Sequence, residues 1–589
     1  MILGIDLGTT NSLASAIING KNQAVMFEKS TLLPSVVAFN SEGNLLIGQV
    51  AKNQFILNIE NTVKSIKRKM GSEASVKLQG KEYRPEEISA LILKYIKEKA
   101  EQQFNQPIKD VVITVPAYFS DDQRKATTLA GKIAGLKVRR IVNEPTAAAL
   151  SYNINQKKEI KAVVYDLGGG TFDVSIVNIA NNVVEVLSSH GNNALGGDDF
   201  DVDLTMWLIE AIKKKYKLEV KSNSRAFHQL QEAAEKCKIE LTDQPFYNLI
   251  ESIIIDPEQP PLNIELEIKR SVFEELIHPY ILETMQLVHV ALTDAGLQTS
   301  DIDQILLVGG SSKIPLIKDE FMSVFSIVPS ESINPDQCVC LGAAVQGGII
   351  EDQKINAILV DITPYTFGTR ASVSDEMDFL IDNDVFVPLI QRNTPLPVSK
   401  SEIFYKNHPE QEKIKVDIHQ GDHSVASENK LIGSFNIEDL SKKAADTEII
   451  LSMNLDLNGI LTVVATEKNT GANKQITIDN AFKNEDVTLS VQKVLQAFGQ
   501  DDNPESEMNP SEILDNEEED PTETAENNRI YIANTMIEKA ESKMSMAAKE
   551  DAEQMKRLIG ELGNRINEND IDNIIKLTDE LTDILFYID

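Results

Sequence analysis

Over residues 2–350, short β-branched runs alternate with longer stretches whose apolar positions recur at helical spacing: 111–115 precedes 121–135, and 305–308 precedes 314–325. Strands alternating with helices pack as parallel or mixed sheets covered by helices, so residues 1–355 read as an α/β body. Within it a motif recurs. Ile2-Leu3-Gly4-Ile5-Asp6-Leu7-Gly8-Thr9-Thr10 returns as Val163-Val164-Tyr165-Asp166-Leu167-Gly168-Gly169-Gly170-Thr171. Two copies of strand, aspartate, glycine turn and threonine predict two related lobes. From about residue 356 the texture changes to short β-rich segments, 414–419 and 460–466 among them, punctuated by Gly421, Gly433, Asn458-Gly459 and Gly471. Regular turns between short strands predict an antiparallel β-sandwich over 362–485. Residues 486–526 read as an acidic, disordered segment, since 500–526 holds three prolines, the run Glu517-Glu518-Glu519-Asp520 and no Lys or Arg. Residues 527–589 are rich in Ala, Glu, Lys, Met and Leu without proline, which favours a small helical cap.

Composition narrows the function. The 589 residues carry 57 basic and 91 acidic side chains, a net charge of −34. That balance argues against nucleic acid as the partner, because phosphate-backbone recognition draws on clustered Lys and Arg. The start of the chain leaves no room for a signal peptide before Asp6, and no long uncharged apolar run suggests a membrane span. With only Cys237, Cys338 and Cys340, the chain fits a reducing compartment, and a cytoplasmic location is expected. Cys338 and Cys340 lack the second pair or nearby histidine of a zinc site, so packing is the expected role.

Three glycine turns carry the candidate chemistry. Glycine lets backbone N–H groups approach a phosphate without an intervening Cβ. Gly8 with Thr9, Thr10 and Asn11 forms one such cradle, Gly168, Gly169 and Gly170 with Thr171 a second, and Gly309-Gly310-Ser311 a third. Any one of them serves equally well as a plain β-to-α connection; three in one α/β body point to a nucleoside triphosphate held between two lobes. Asp6 and Asp166, at strand ends, suit a Mg²⁺ ion that keeps most of its waters. Neither a P-loop nor a dinucleotide fingerprint is present.

Gly4-Ile5-Asp6-Leu7-Gly8-Thr9-Thr10-Asn11-Ser12, Val115-Pro116-Ala117-Tyr118-Phe119, Asn143-Glu144-Pro145-Thr146-Ala147, Asp166-Leu167-Gly168-Gly169-Gly170-Thr171-Phe172-Asp173 and Leu307-Val308-Gly309-Gly310 resemble the signatures of the DnaK-type heat-shock chaperones. The shortened segment after Met70 looks closest to the HscC-like branch. The resemblance implies an actin-like two-lobed ATPase, a linker over 356–361, a peptide-binding β-sandwich and a helical lid. It implies an ATP-dependent chaperone that binds extended apolar segments of unfolded proteins and couples their capture and release to hydrolysis and ADP/ATP exchange. A metabolite kinase of the actin-like superfamily is the alternative, and a filament-forming actin relative a more distant one; neither needs the C-terminal half.

Carried over by position, the resemblance implies that Lys67 and Thr171 reach the γ-phosphate and that Glu144 and Asp173 orient the attacking water. Asp6 and Asp166 then support Mg²⁺ and K⁺. Gly196, Glu235, Lys238, Thr242, Ser311, Lys313 and Asp336 join the glycine turns in holding ATP. Read alone, Lys67 beside Lys64, Arg68 and Lys69 is an ordinary basic face. Ile358-Leu359-Val360-Asp361 resembles the family's apolar linker, able to dock as a strand in one nucleotide state and detach in the other. Arg124 and Arg140 match contacts for a J-domain co-chaperone, and a nucleotide exchange factor is a further expected partner. Phe404, Ile414, Val416 and Ile460 match the peptide groove, although core packing explains each as well. Thr369, Ser372 and Asn407 make the groove more polar than the family pattern.

Overall fold

The computed structural model describes all residues except 154–158, 181–182, 223, 256–259, 331–333, 354, 356, 375–379, 407–410, 439, 441–447, 468–472, 478–483, 500–532, 534–536, 538–539, 541–543, 545–548, 569 and 587–589. The repeat seen in the sequence is a repeat of architecture. In the first lobe Ile2–Asp6 is flanked on one side by a parallel neighbour, Asp110–Val115, and on the other by the antiparallel Asn11–Ile18. In the second, Ile160–Leu167 stands between the parallel Gln304–Val308 and the antiparallel Phe172–Ala180. Asp6 therefore ends a central strand and Asp166 stands one residue before the end of its counterpart. The registers pair Asp6 with Leu13 and Asp166 with Asp173, so only the second copy places a further carboxylate opposite.

Helix Cys338–Ile350 crosses Glu144–Asn153 and the first-lobe sheet through small residues. A Cβ on Gly342 would meet the Ala147 carbonyl at 1.7 Å, and one on Gly4 would meet the Ala344 nitrogen at 2.2 Å. The sequence runs Ala147-Ala148-Ala149 and Gly342-Ala343-Ala344 thus set how closely these helices seat on the sheet. The second lobe has an aromatic core instead, with Tyr165, Phe172, Phe200, Phe273 and Phe321 buried beneath its helices.

The expected sandwich is two four-stranded sheets. One orders Leu380–Ile390, Phe367–Ser374, Ile414–Gln420 and Lys430–Ile437; the other orders Val398–Tyr405, Glu448–Leu455, Leu461–Glu467 and Asn473–Thr477. Alternating inward residues such as Ile449, Leu451, Met453 and Leu455 build its core. Ile358–Val360 joins the second lobe as a fifth strand, parallel to Val183–Asn192, pairing Leu359 with Val184. Residues 1–398 and 402–503 form one compact unit.

The acidic-segment expectation needs correction at its start. Asn484–Ala497 is a helix, with Val487, Val491 and Val494 buried at i, i+4 and i+7 and facing helix Pro85–Phe104. Glu87, 2% exposed, accepts hydrogen bonds from Ser490 at 2.9 Å and from Lys493 at 2.8 and 2.9 Å. Residues 500–526 lie outside the described residues. The second unit holds helices Lys549–Glu568 and Ile571–Phe586 around Met555, Leu558, Leu562, Ile574 and Leu581. No helix among the described residues is long and apolar enough to cross a membrane.

Candidate nucleotide site

A cleft of about 890 Å³ is lined by all three glycine turns, within the size range of cofactor pockets. The turns interlock. A Cβ on Gly196 would meet the Gly169 carbonyl carbon at 2.5 Å. Gly309 adopts φ +81°, and a Cβ there would meet the Leu167 carbonyl at 2.5 Å, so glycine is required on both counts. The Thr10 hydroxyl oxygen is buried without a partner among the described residues, which leaves a polar group on the cradle for a ligand.

Lys67 is brought in by local strain. Ser65 holds φ +51° in the left-handed region, anchored by its hydroxyl to Asp198 at 2.7 Å. The short helical turn Ile66–Lys69 that follows buries Lys67 to 5% exposure, its Nζ 2.5 Å from Oε1 of Glu144. Glu144 opens helix Glu144–Asn153, where the helix dipole favours a negative charge. Arg68 points the other way, donating to the Gly170 carbonyl at 3.1 Å and pairing with Asp199.

Around Lys67 the carboxylates crowd. Burial, then Glu144, pushes Asp6 up to about 7. The same two causes push Asp173 up to about 7 and raise Asp166 well above the usual carboxylate range. Four carboxylates against one ammonium fit a bound cation. Among the described residues no cluster of three or more His, Cys, Asp or Glu could ligate a metal directly, and Asp6 with Asp166 suits an ion that retains its waters. Asp173 stands just behind the cleft, 1% exposed, and its Oδ1 accepts the Tyr118 N–H at 3.0 Å. Gly170 and Gly196 support the cradle rather than line it.

At the far end Glu235, Lys238, Thr242, Ser311, Lys313 and Asp336 converge. Lys238 pairs with Asp201 at 2.7 Å and donates to the Gly197 carbonyl at 3.0 Å, while Thr242 donates back to the Lys238 carbonyl. Lys313 and Asp336 pair at 2.5 Å at the mouth. Sequence reasoning missed Lys52, whose ion pair with Glu235 at 2.7 Å ties the first lobe to the second. Burial works against the Glu235 carboxylate, yet Lys52 and Lys238 hold it below its usual value. Nothing in the local sequence of Lys52 marks it; Arg68 at least adjoins the Lys67 motif.

The other expected residues divide. Arg124 is not presented to a partner: it is 5% exposed and donates to the carbonyls of Ala117 and Phe119 and to Asn143 Oδ1. Asn143 in turn donates to both oxygens of Asp361 at 2.9 Å. Arg140 is half-buried. In the sandwich Val416 is buried, with Phe404 and Ile414 packed half-exposed at the edge of the same core. Ile460 is not with them. It closes the turn between Glu448–Leu455 and Leu461–Glu467, beside Asn458, whose Oδ1 accepts the Ile141 N–H at 3.0 Å. Thr369 is buried, its hydroxyl donating to the Asp417 carbonyl at 2.9 Å; Ser372 is exposed, and Asn407 lies outside the described residues.

Comparison with known proteins identifies the family. The family model described as "Hsp70 protein" matches residues 2–80 and 72–588. "Chaperone protein DnaK" of Mycoplasmopsis agalactiae is 39% identical over 591 residues, covering 99% of this chain and 94% of that protein. Its namesake from Mycoplasma mobile is 43% identical over 484 residues, 82% and 78% of the two chains. The one from Thermosipho melanesiensis is 37% identical over 590 residues, 98% and 95%. The finer placement beside the HscC-like branch gains no support from these relatives. The chain belongs to the Hsp70 family.

Proposed function

We propose that this Hsp70 protein is an ATP-driven chaperone in which an actin-like ATPase controls a peptide-binding sandwich. The observation that carries the reading is the linker strand: Ile358–Val360 extends the sheet that bears Asp166 and Asp173, and the chain then runs directly into the sandwich. A metabolite kinase has no use for that connection.

ATP brings Mg²⁺, whose charge offsets the phosphates. Around it Asp6 and Asp166 would hold hydration waters, with K⁺ alongside. Lys67 would face the charge that develops at the γ-phosphate, and Thr171 would position it. Glu144 and Asp173 would accept hydrogen bonds from the attacking water. Positioning and charge stabilisation of this kind dominate phosphoryl transfer. Phe404, Ile414 and Val416 are the groove residues for an extended aliphatic peptide. A J-domain protein at the linker side near Arg140, a nucleotide exchange factor and a cytoplasmic location complete the reading. The test is ATP turnover by the full chain with and without a leucine-rich extended peptide. Peptide-stimulated turnover is expected; hydrolysis indifferent to peptide would reject the chaperone cycle.

A further inference from the structure

Every carbonyl of the second glycine turn is held by a donor. Gly168 accepts the Gly197 N–H at 3.0 Å and the Ser311 hydroxyl at 2.9 Å, and Gly169 accepts the Asp198 N–H at 2.7 Å. These donors belong to the second lobe, as the turn itself does. The Gly170 carbonyl is held from the opposite lobe, by Arg68 Nε at 3.1 Å. The guanidinium has its own anchor: Nη2 pairs with Oδ2 of Asp199, and the same oxygen accepts the Gly196 N–H at 2.8 Å. Three residues earlier, Ser65 donates to the neighbouring Asp198. A Cβ on Gly170 would meet Arg68 Nε at 2.9 Å and the Thr9 methyl at 2.6 Å, so glycine leaves the first lobe room to reach this carbonyl.

A trans peptide is planar, with its carbonyl and its N–H on opposite sides. Holding the Gly170 carbonyl toward Arg68 therefore turns the Thr171 N–H the other way. Thr171 lines the cleft, whereas Gly170 and Arg68 do not. We propose that Arg68 is a positioning residue for phosphoryl transfer: it keeps the Gly170 carbonyl out of the cleft, so that the N–H at the far end of the same peptide, that of Thr171, faces the γ-phosphate. The proposal rests on the reading of the cleft as an ATPase site with Thr171 at the γ-phosphate. A rotated peptide would withdraw a donor and present a carbonyl oxygen where negative charge develops, which costs most in the transition state. Arginine suits the task because its planar fork offers two donors in fixed directions; lysine keeps the charge beside Asp199 but has a single nitrogen.

Arg68→Lys and Arg68→Met, each in the full chain, test it. At saturating ATP, single-turnover hydrolysis by both variants is expected to slow about tenfold or more, as for the loss of a charge-assisted, preorganised bond. The dissociation constants for ATP and ADP should stay within about threefold of wild type, because the bond acts on the transition state more than on the bound nucleotide. The unfolding midpoint should hold as well. Wild-type hydrolysis by Arg68→Lys would mean that charge alone suffices and overturns the proposal. Weaker binding of ATP and ADP alike, with the saturated rate kept, would make Arg68 a plain tie between the lobes and overturns it too, as does slow hydrolysis that comes with a lowered unfolding midpoint. Lys67→Ala serves as the independent control. Wild-type hydrolysis by that variant would defeat the reading of the cleft itself, whereas slow hydrolysis by it beside an unaltered Arg68→Lys enzyme would defeat the role of Arg68 alone.

Discussion

Lys67 is an ammonium with almost no solvent, one close carboxylate partner and three further carboxylates around it. Burying an ion pair gains little stability by itself, since desolvation offsets the attraction. Its value here is a charge fixed where the reaction needs one. Lys67→Ala is expected to slow single-turnover hydrolysis by about 10²-fold or more, as for other preorganised groups, with ATP affinity largely kept. Single-turnover rates at wild-type level would remove Lys67 from the site. The three thiols make an opposite case. Burial pushes Cys237 and Cys340 up to about 12 and raises Cys338 well above its usual value. Thiolate is the reactive form, so at pH 8 these raised values leave almost none of it. The native protein is expected to resist alkylation at all three positions and the denatured protein to react at each, as read by intact mass. At this scale the motif residues were legible because side-chain identity carries their chemistry. Tyr118 and Arg124 were not, because one acts through a backbone N–H and the other through carbonyls that only the folded turn brings together.

Whole elements were legible wherever hydrophobic period and turn chemistry agreed. The paired strand–aspartate–glycine motifs became two lobes, and the alternating segments after residue 356 became a sandwich. Helix Asn484–Ala497 was masked by the carboxylates that follow it, although Val487, Val491 and Val494 carried the helical spacing. Its polar anchor, Glu87 to Lys493, spans elements far apart in sequence, and no local pattern announces such a pair. Ile460 shows the reverse error: its apolar character suited the groove, while the Asn458-Gly459 turn beside it dictated a hairpin end. The linker tests what an element can transmit. Leu359 packs half-buried against the core shared by the two lobes, so the double substitution Leu359→Asp, Val360→Asp places two charges where an apolar edge strand now sits. The sandwich keeps its other contacts with the body, through Tyr365, Asn458 and Lys430. Basal hydrolysis is therefore expected to persist while stimulation by peptide is lost. Normal stimulation in this double variant would mean that the strand pairing is not the route of coupling.

At the scale of the whole molecule, the contacts between the sandwich and the ATPase body include two ion pairs. Lys430 pairs with Asp122 at 2.6 Å and Arg392 with Asp294 at 3.2 Å, the cations partly exposed and the carboxylates mostly buried. The Asn458 and Tyr365 bonds and the Asp361–Asn143 link add to them. Ion pairs whose cation stays in water contribute about 0–1 kcal/mol each, so these two hold the sandwich only weakly. A two-state molecule of that kind responds to small biases, because a ligand shifts it only by its difference in affinity for the two states. Removing both pairs, as Arg392→Ala with Lys430→Ala, should raise the undocked population while keeping every residue that lines the groove or the nucleotide cleft. If the undocked sandwich binds peptide more tightly, the double variant will hold peptide about three- to tenfold more tightly in ATP, from about 0.7–1.4 kcal/mol of lost docking. Its affinity in ADP should match the wild type. Raising the salt concentration should mimic the variant in the wild-type protein and change the variant itself far less, because screening acts on the same two pairs through their solvent-facing cations. Peptide titrations in both nucleotides at two salt concentrations decide the matter. Equal weakening in ATP and ADP would mark these residues as supports of the groove. An affinity that tightens only in ATP identifies docking itself as the variable that the nucleotide controls.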